Sequence, residues 1–207
     1  MKKILTALGL LISSSTMATG FYAGGQLGTD FGISHFNVGN NKSDNKDTGM
    51  TYGIYGGYRY DFNTFFVAGE LECYKSTTKT KNTLQANPNV AVGQMTVENT
   101  QDGNSAALQI LAGLPIGDST EVYALLGAIR TPMQTTATLS LPGVTSVHKQ
   151  TSDLNGKVFG FGVQYRINDQ VAARLNYKYV AYEELKLNDI TSKLASHIVS
   201  IGAQYSF

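Results

Sequence analysis

The sequence predicts an all-β chain, an eight-stranded antiparallel up-and-down transmembrane β-barrel. Three observations carry that reading. The C-terminus, ASHIVSIGAQYSF, alternates strictly, with Val199, Ile201, Ala203, Tyr205 and Phe207 on one parity and Ser200, Gly202, Gln204 and Ser206 on the other. Period two over that length is a strand with one apolar and one wet face, and Ile198 is its one exception. Seven more segments of similar length and patterning precede it. The connections between them alternate between long polar segments and tight turns, as in a barrel with short turns at one rim and long loops at the other.

The first candidate strand is GFYAGGQLGTDF, with Phe21, Ala23, Gly25 and Leu27 on the apolar parity and Tyr22, Gln26 and Asp30 opposite. A polar stretch, residues 35–47, follows. In the second strand, TGMTYGIYGGYRY, Tyr52, Ile54, Tyr58 and Tyr60 share one face and Thr51, Tyr55 and Arg59 the other, and Asp61-Phe62-Asn63 is read as a tight turn. The third, TFFVAGELECYK, turns Phe65, Val67, Leu71 and Cys73 outward and Phe66, Ala68, Glu70 and Glu72 inward. Residues 76–104 are read as a long loop, within which residues 91–97 have the pattern of an extra hairpin strand above the membrane.

AALQILAGLPI is the fourth strand, with Leu108, Ile110, Ala112 and Leu114 outward and Gln109 and Gly113 inward, closed by Gly117-Asp118-Ser119. The fifth, EVYALLGAIR, is apolar on both parities, so its orientation is left open. Residues 132–155 form a third long loop. GKVFGFGVQYRI places Phe159, Phe161, Val163, Tyr165 and Ile167 outward and Gln164 and Arg166 inward, before an Asn168-Asp169 turn. QVAARLNYKYVAY does the same with Val171, Leu175, Tyr177 and Tyr179 against Arg174, Asn176 and Lys178. Residues 183–194 are the last loop.

The N-terminus is read as a cleaved signal peptide over residues 1–18: a basic start at Lys2 and Lys3, an apolar run from Ile4 to Ile12, then small residues ending Thr16-Met17-Ala18. The run is shorter than the roughly 20 residues that span a bilayer as a helix. The barrel domain is then 19–207, with both termini on the periplasmic side. Loss of the two lysines turns the formal charge of +1 into −1, which leaves no basic surplus for nucleic acid. A single cysteine, Cys73, excludes an intrachain disulfide framework.

Three stretches, GFYAGGQLG, YGIYGGYRYDF and IGAQYSF, resemble the outer-membrane-protein β-barrel family, with its opacity-protein-like and OmpA/OmpX-type small barrels. The resemblance implies an integral barrel of a Gram-negative outer membrane, contacting its lipids and lipopolysaccharide. It also implies that the barrel assembly machinery reads the terminal aromatics, Tyr205 and Phe207. It does not imply one activity, because such barrels include adhesins, anchors, small pores and a few lipid-modifying enzymes.

Catalysis is not expected. A His-x-Ser pair of the kind lipid-A deacylases use is missing at His35, His148 and His197, and His197 is read as an interfacial imidazole of the aromatic belt. No metal-ligand spacing and no cofactor motif is present. The leading expectation is a non-enzymatic surface protein whose loops are available for adhesion or host contact. The alternative is a small pore or a passage for hydrophobic solutes. Lys42, Lys46, Lys75, Lys79 and Lys81 lie on or near the first two loops, where they either meet lipopolysaccharide phosphates or an acidic host surface or serve as solvated charges that keep the loops soluble. The lumen is expected to hold a structural charge network. Glu70, Glu72 and Arg174 form its centre, Lys178 lies above, Arg59 or Gln109 joins at the side, and Arg166 lies lower. Charges that far from bulk water must be paired.

Overall fold

The computed structural model describes residues 19–38, 41–85, 94–101, 103–141, 144–183, 185–187 and 190–207. The expected signal segment 1–18 and residues 91–93 lie outside these. Eleven strands follow one another: β1 (Gly20–Val38), β2 (Asn41–Asp61), β3 (Phe66–Ser76), β4 (Lys79–Gln85), β5 (Gln94–Gln101), β6 (Ser105–Pro115), β7 (Thr120–Leu141), β8 (Val144–Arg166), β9 (Val171–Tyr182), β10 (Leu185–Leu187) and β11 (Ile190–Ser206). Eight of them make the ring, in the order β1-β2-β3-β6-β7-β8-β9-β11, all antiparallel. The last strand closes it on the first, from Tyr22↔Ser206 up to Val38↔Ile190. Closure leaves no free edge at membrane depth, which is the condition for sheet to cross lipid.

The outward parities are those read from the sequence. Leu27, Ile54, Leu71, Leu108, Ile110, Phe161, Leu175 and Ile201 are exposed around the middle of the ring. Aromatic rings gather at its two rims. Phe21 meets Tyr58 at 4.9 Å, Phe62 stacks on Phe65 at 4.4 Å and Tyr205 meets Phe207 at 5.2 Å near the short turns. Toward the other rim Tyr179 lies 5.0 Å from His197, whose Nδ1 is 2.6 Å from the Tyr177 hydroxyl, and the Tyr177 ring lies 5.1 Å from Phe161 in the band. An apolar band between aromatic girdles is the outer face of a transmembrane barrel.

The turns are chemically specified. Gly117 has φ +146°, which a side chain would strain. Asn168 Oδ1 accepts from the backbone N–H of Gln170 at 2.9 Å and of Val171 at 2.8 Å, holding the β8–β9 turn. The first turn is longer than expected: Phe62 N–H donates to Phe65 C=O at 2.8 Å, so β3 starts at Phe66 instead of Thr64.

The expected long loops are corrected. β1 and β2 continue to Val38 and from Asn41, β4 and β5 form a hairpin inside residues 76–104, β7 and β8 run to Leu141 and from Val144, and β10 and β11 occupy most of the last segment. Alternation could not reveal these extensions. Beyond the apolar band lipid no longer imposes an apolar face, so the ladder persists without a hydrophobic period, as in residues 145–153, which are exposed on both faces and rich in strand-forming Thr and Val. The result is a projecting sheet in the order β4-β5-β7-β8, because β5 takes the place beside upper β7 that β6 holds lower down.

The fifth candidate strand, β7, is now oriented. Glu121, Tyr123, Leu125 and Ile129 are buried inside, and Leu126 is exposed outside. With Leu111, Val158, Val180 and Ile198, inward Tyr123, Leu125 and Ile129 give the lumen an apolar wall that the expected polar interior did not contain. The Ile198 exception in the terminal alternation belongs to this wall.

Candidate functional site

Side chains meet across the lumen in three tiers. An eight-stranded ring is just wide enough for them to fill it. Glycines make room at the tightest points: a Cβ on Gly162 would fall 2.4 Å from the Tyr123 ring, and one on Gly24 would fall 2.4 Å from Tyr55.

The central tier joins β3 to β9. Arg174 Nη1 donates to Glu70 Oε2 at 2.7 Å, and the Tyr22 hydroxyl donates to the same oxygen at 2.9 Å. Arg174 Nε donates to the Tyr123 hydroxyl at 3.0 Å, and the guanidinium lies 4.5 Å from the centre of the Tyr55 ring. Tyr123 in turn donates to Asn176. One step higher, Glu72 takes the Lys178 ammonium, the Gln109 amide and the Gln26 amide. Glu70 and Glu72 are each 2% exposed, Arg174 4% and Lys178 3%, so each charge depends on these partners and not on water. The two carboxylates and two cations balance. Gln109 Oε1 is the one buried side-chain oxygen left without a partner among the described residues.

Arg59 does not join this tier, contrary to one of the two side partners expected. It sits at the short-turn rim, where Nη1 and Nη2 grip Glu121 at 2.6 and 2.9 Å and Nε donates to Asp61 at 2.8 Å. Its guanidinium lies 3.8 Å over the Phe66 ring. Arg166 reaches the same Glu121 at 3.1 Å. Arg59 and Arg166 are therefore brought together, with each other and not with Glu70. Sequence reasoning missed Glu121 because a strand apolar on both parities gave no way to point its first residue. It missed Asp61 because the residue was assigned to a turn. A polar residue opening an otherwise apolar strand beside a turn was the available signal for Glu121.

The third tier faces the hairpin rim and is built of hydroxyls. Asp30 accepts from Ser76 Oγ at 2.9 Å and from Ser196 Oγ, while Ser105 and Thr131 share a 2.8 Å contact and Thr131 reaches Tyr182 at 3.3 Å. At the terminus, the Phe207 N–H donates to Phe21 C=O at 3.0 Å and both Tyr205 and Phe207 face outward. Lys46 is exposed, and Lys75 lies at the upper end of β3.

Comparison with known proteins gives the family. A family profile described as the outer membrane protein beta-barrel domain matches residues 4–207. No curated protein sequence matches the chain. Among solved structures, the attachment invasion locus protein Ail of Yersinia pestis is 18% identical, with a TM-score of 0.44 over 92% of this chain and 100% of that one. The Neisserial surface protein A is 20% identical, with a TM-score of 0.42 over 93% of this chain and all of its own. The outer membrane protease OmpT of Escherichia coli is 10% identical, with a TM-score of 0.48 over 94% of this chain and 100% of that one. These likenesses are at the level of the barrel alone. With the profile spanning nearly the whole sequence and a closed eight-stranded ring beneath it, the chain belongs to the outer membrane protein beta-barrel domain family of the bacterial outer membrane.

Proposed function

We propose that this barrel is a non-enzymatic surface protein that works through the sheet projecting from its hairpin rim, with both termini periplasmic and the projecting strands outside the cell. The observation that carries the reading is the division of labour along the barrel axis. Within the apolar band the lumen is spanned by paired charges, Arg174 with Glu70 and Lys178 with Glu72, against a wall of Leu111, Leu125, Val158 and Val180. Beyond the band at one rim, the strands run on as β4, β5 and the upper parts of β7 and β8, and residues 145–153 of β8 are exposed on both faces. A surface protein needs such a rigid support for its contacts, and a pore needs the opposite, a lumen that water can follow. Its partners are outer-membrane lipids and lipopolysaccharide around the band, the barrel assembly machinery during insertion, and a host or surface ligand at the projecting sheet. The structural role proposed for the lumen network is to hold strand register and exclude ions.

A deletion strain tests this. Adhesion to host cells or matrix should fall, and should return with the wild-type gene but not with a version whose β7–β8 hairpin is cut back to Arg130 and Asn155. Uptake of small solutes should be unchanged. Unchanged adhesion with lowered uptake would instead favour the passage reading.

A further inference from the structure

The buried charges of the lumen do not balance. Among the described residues four carboxylates, Asp30, Glu70, Glu72 and Glu121, and three cations, Arg59, Arg174 and Lys178, are buried. Three ion pairs join six of them: Glu70 with Arg174, Glu72 with Lys178 and Glu121 with Arg59. The more exposed Arg166 and Asp61 lean on Glu121 and Arg59 and offset each other. Asp30, 7% exposed, is left over. Its oxygens take the Ser76 and Ser196 hydroxyls, and among the described residues no cationic side chain reaches it. A carboxylate withdrawn from water without a counter-charge is strongly disfavoured, and two neutral hydroxyls supply hydrogen bonds but no charge.

The atoms around Asp30 are oxygens. Asp30 stands on β1, Ser196 on β11 and Ser76 at the end of β3. Thr78, in the link from β3 to β4, closes over them: its Oγ1 lies 2.9 Å from Ser76 Oγ, and its N–H donates to the same Oγ at 3.2 Å. Gly49 on β2 makes room for that approach, because a Cβ there would fall 2.4 Å from Thr78 Oγ1. Thr51 is buried beside Ser76, its partner in the β2–β3 ladder. Each serine spends its proton on the carboxylate and keeps lone pairs, and the carboxylate keeps lone pairs of its own. Oxygen donors of this kind suit hard cations. Calcium takes six to eight oxygens and magnesium a near-ideal octahedron, both drawing on carboxylates for charge. A single carboxylate balances one positive charge, which is also the deficit of the buried lumen.

We propose that Asp30, with the Ser76 and Ser196 hydroxyls, binds a monovalent alkali cation, sodium or potassium, in the tier that faces the hairpin rim. The ion enters from that rim and stops above the tier of Glu72 and Lys178. Bound there, it makes the buried charges neutral. It also ties β1, β3 and β11 at one point, which joins the upper part of the closure seam to the strand from which the β4–β5 hairpin departs. The barrel's stability then depends on which cation is present and not only on ionic strength. A protonated Asp30 is the rival state, and it would be indifferent to the choice of cation. The site stands apart from the proposed surface role, and its test does not pass through adhesion.

The full barrel, folded in detergent micelles, is unfolded by heat in sodium, potassium or tetramethylammonium chloride at equal ionic strength, with tyrosine fluorescence as the readout. The midpoint should rise with the logarithm of sodium or potassium concentration and stay flat in tetramethylammonium, whose methyl groups keep its charge away from the oxygens. A rise with only one of the two alkali ions identifies that ion as the occupant. Asp30→Asn keeps the size of the side chain and removes its charge, so it should unfold at one midpoint in all three salts. Ser196→Ala should need about tenfold more cation for the same rise. Lys46→Ala, on the exposed strand above, should respond like wild type. Sodium NMR of the folded barrel reads binding without unfolding: the resonance should broaden with wild type, sharpen when potassium is added as competitor if potassium also raises the midpoint, and stay narrow with Asp30→Asn. Because the wild-type measurements stand alone, a variant that fails to fold does not shield the proposal. Equal wild-type midpoints in all three salts, an unbroadened sodium resonance, or an Asp30→Asn barrel that responds like wild type would each overturn it. So would calcium producing the same rise at about a hundredth of the concentration, which would make the occupant a divalent ion.

Discussion

Glu70 accepts from Arg174 at 2.7 Å and from Tyr22 at 2.9 Å while 2% exposed, so removing its carboxylate strands a guanidinium that has no route to water. Glu70→Ala should therefore lower the unfolding free energy by about 3 kcal/mol, against a few tenths for Lys46→Ala on the exposed strand above. Urea unfolding followed by tyrosine fluorescence in lipid vesicles measures both, and equal small losses would remove the structural role of the tier. Gly162→Ala tests the same tier from behind, because its Cβ would press the Tyr123 ring that Arg174 and Asn176 share. It should cost about 1–3 kcal/mol by overpacking, with relief on shortening Tyr123 to Phe if the hydroxyl is the point of pressure. Placing Glu70, Glu72, Arg174 and Lys178 needed only the alternation and a count up from each turn, so these positions were legible in the sequence. Glu121 was not. Its strand is apolar on both parities because inward Leu125 and Ile129 line the apolar wall while outward Leu126 meets lipid, and no period marks which side is which.

Strands inside the membrane announce themselves, and strands above it do not. Lipid on one side and a filled lumen on the other impose the period two that the eight segments show. The upper part of β8 is exposed on both faces and that of β7 is half-buried without alternation, and their Thr-rich sequences read as loop. Two expectations belong to this scale. An epitope tag inserted at Thr145, at the top of β8, should be reached by antibody on intact cells, whereas one at Asp118 in the β6–β7 turn should be reached only after the outer membrane is opened. The reverse pattern would invert the barrel. Deletion of Phe207 removes both its ring contact with Tyr205 and its backbone bond to Phe21 at the seam between first and last strands. Outer-membrane levels of the shortened chain should drop severalfold in a quantitative blot of membrane fractions, and levels matching wild type would remove the proposed assembly role of the terminus.

The whole molecule couples a closed ring to a filled interior. Because every backbone group at membrane depth is bonded within the sheet, unheated samples should migrate apart from boiled ones on a denaturing gel, and a chain that stays soluble without detergent would contradict the membrane reading outright. The interior was half legible: alternation predicted charges that must pair, but the apolar wall and the separate Arg59–Glu121 tier emerged only when the strands were set side by side. The paired charges and packed apolar side chains of the lumen are why function is proposed for the projecting sheet and not for a pore. Planar-bilayer recording of the purified, folded barrel tests that claim most directly. Wild type should give no stable single-channel steps, and steps should appear when Glu72 and Lys178 are both replaced by alanine. Stable, reproducible channels in the wild-type protein would contradict it and make the chain a small pore.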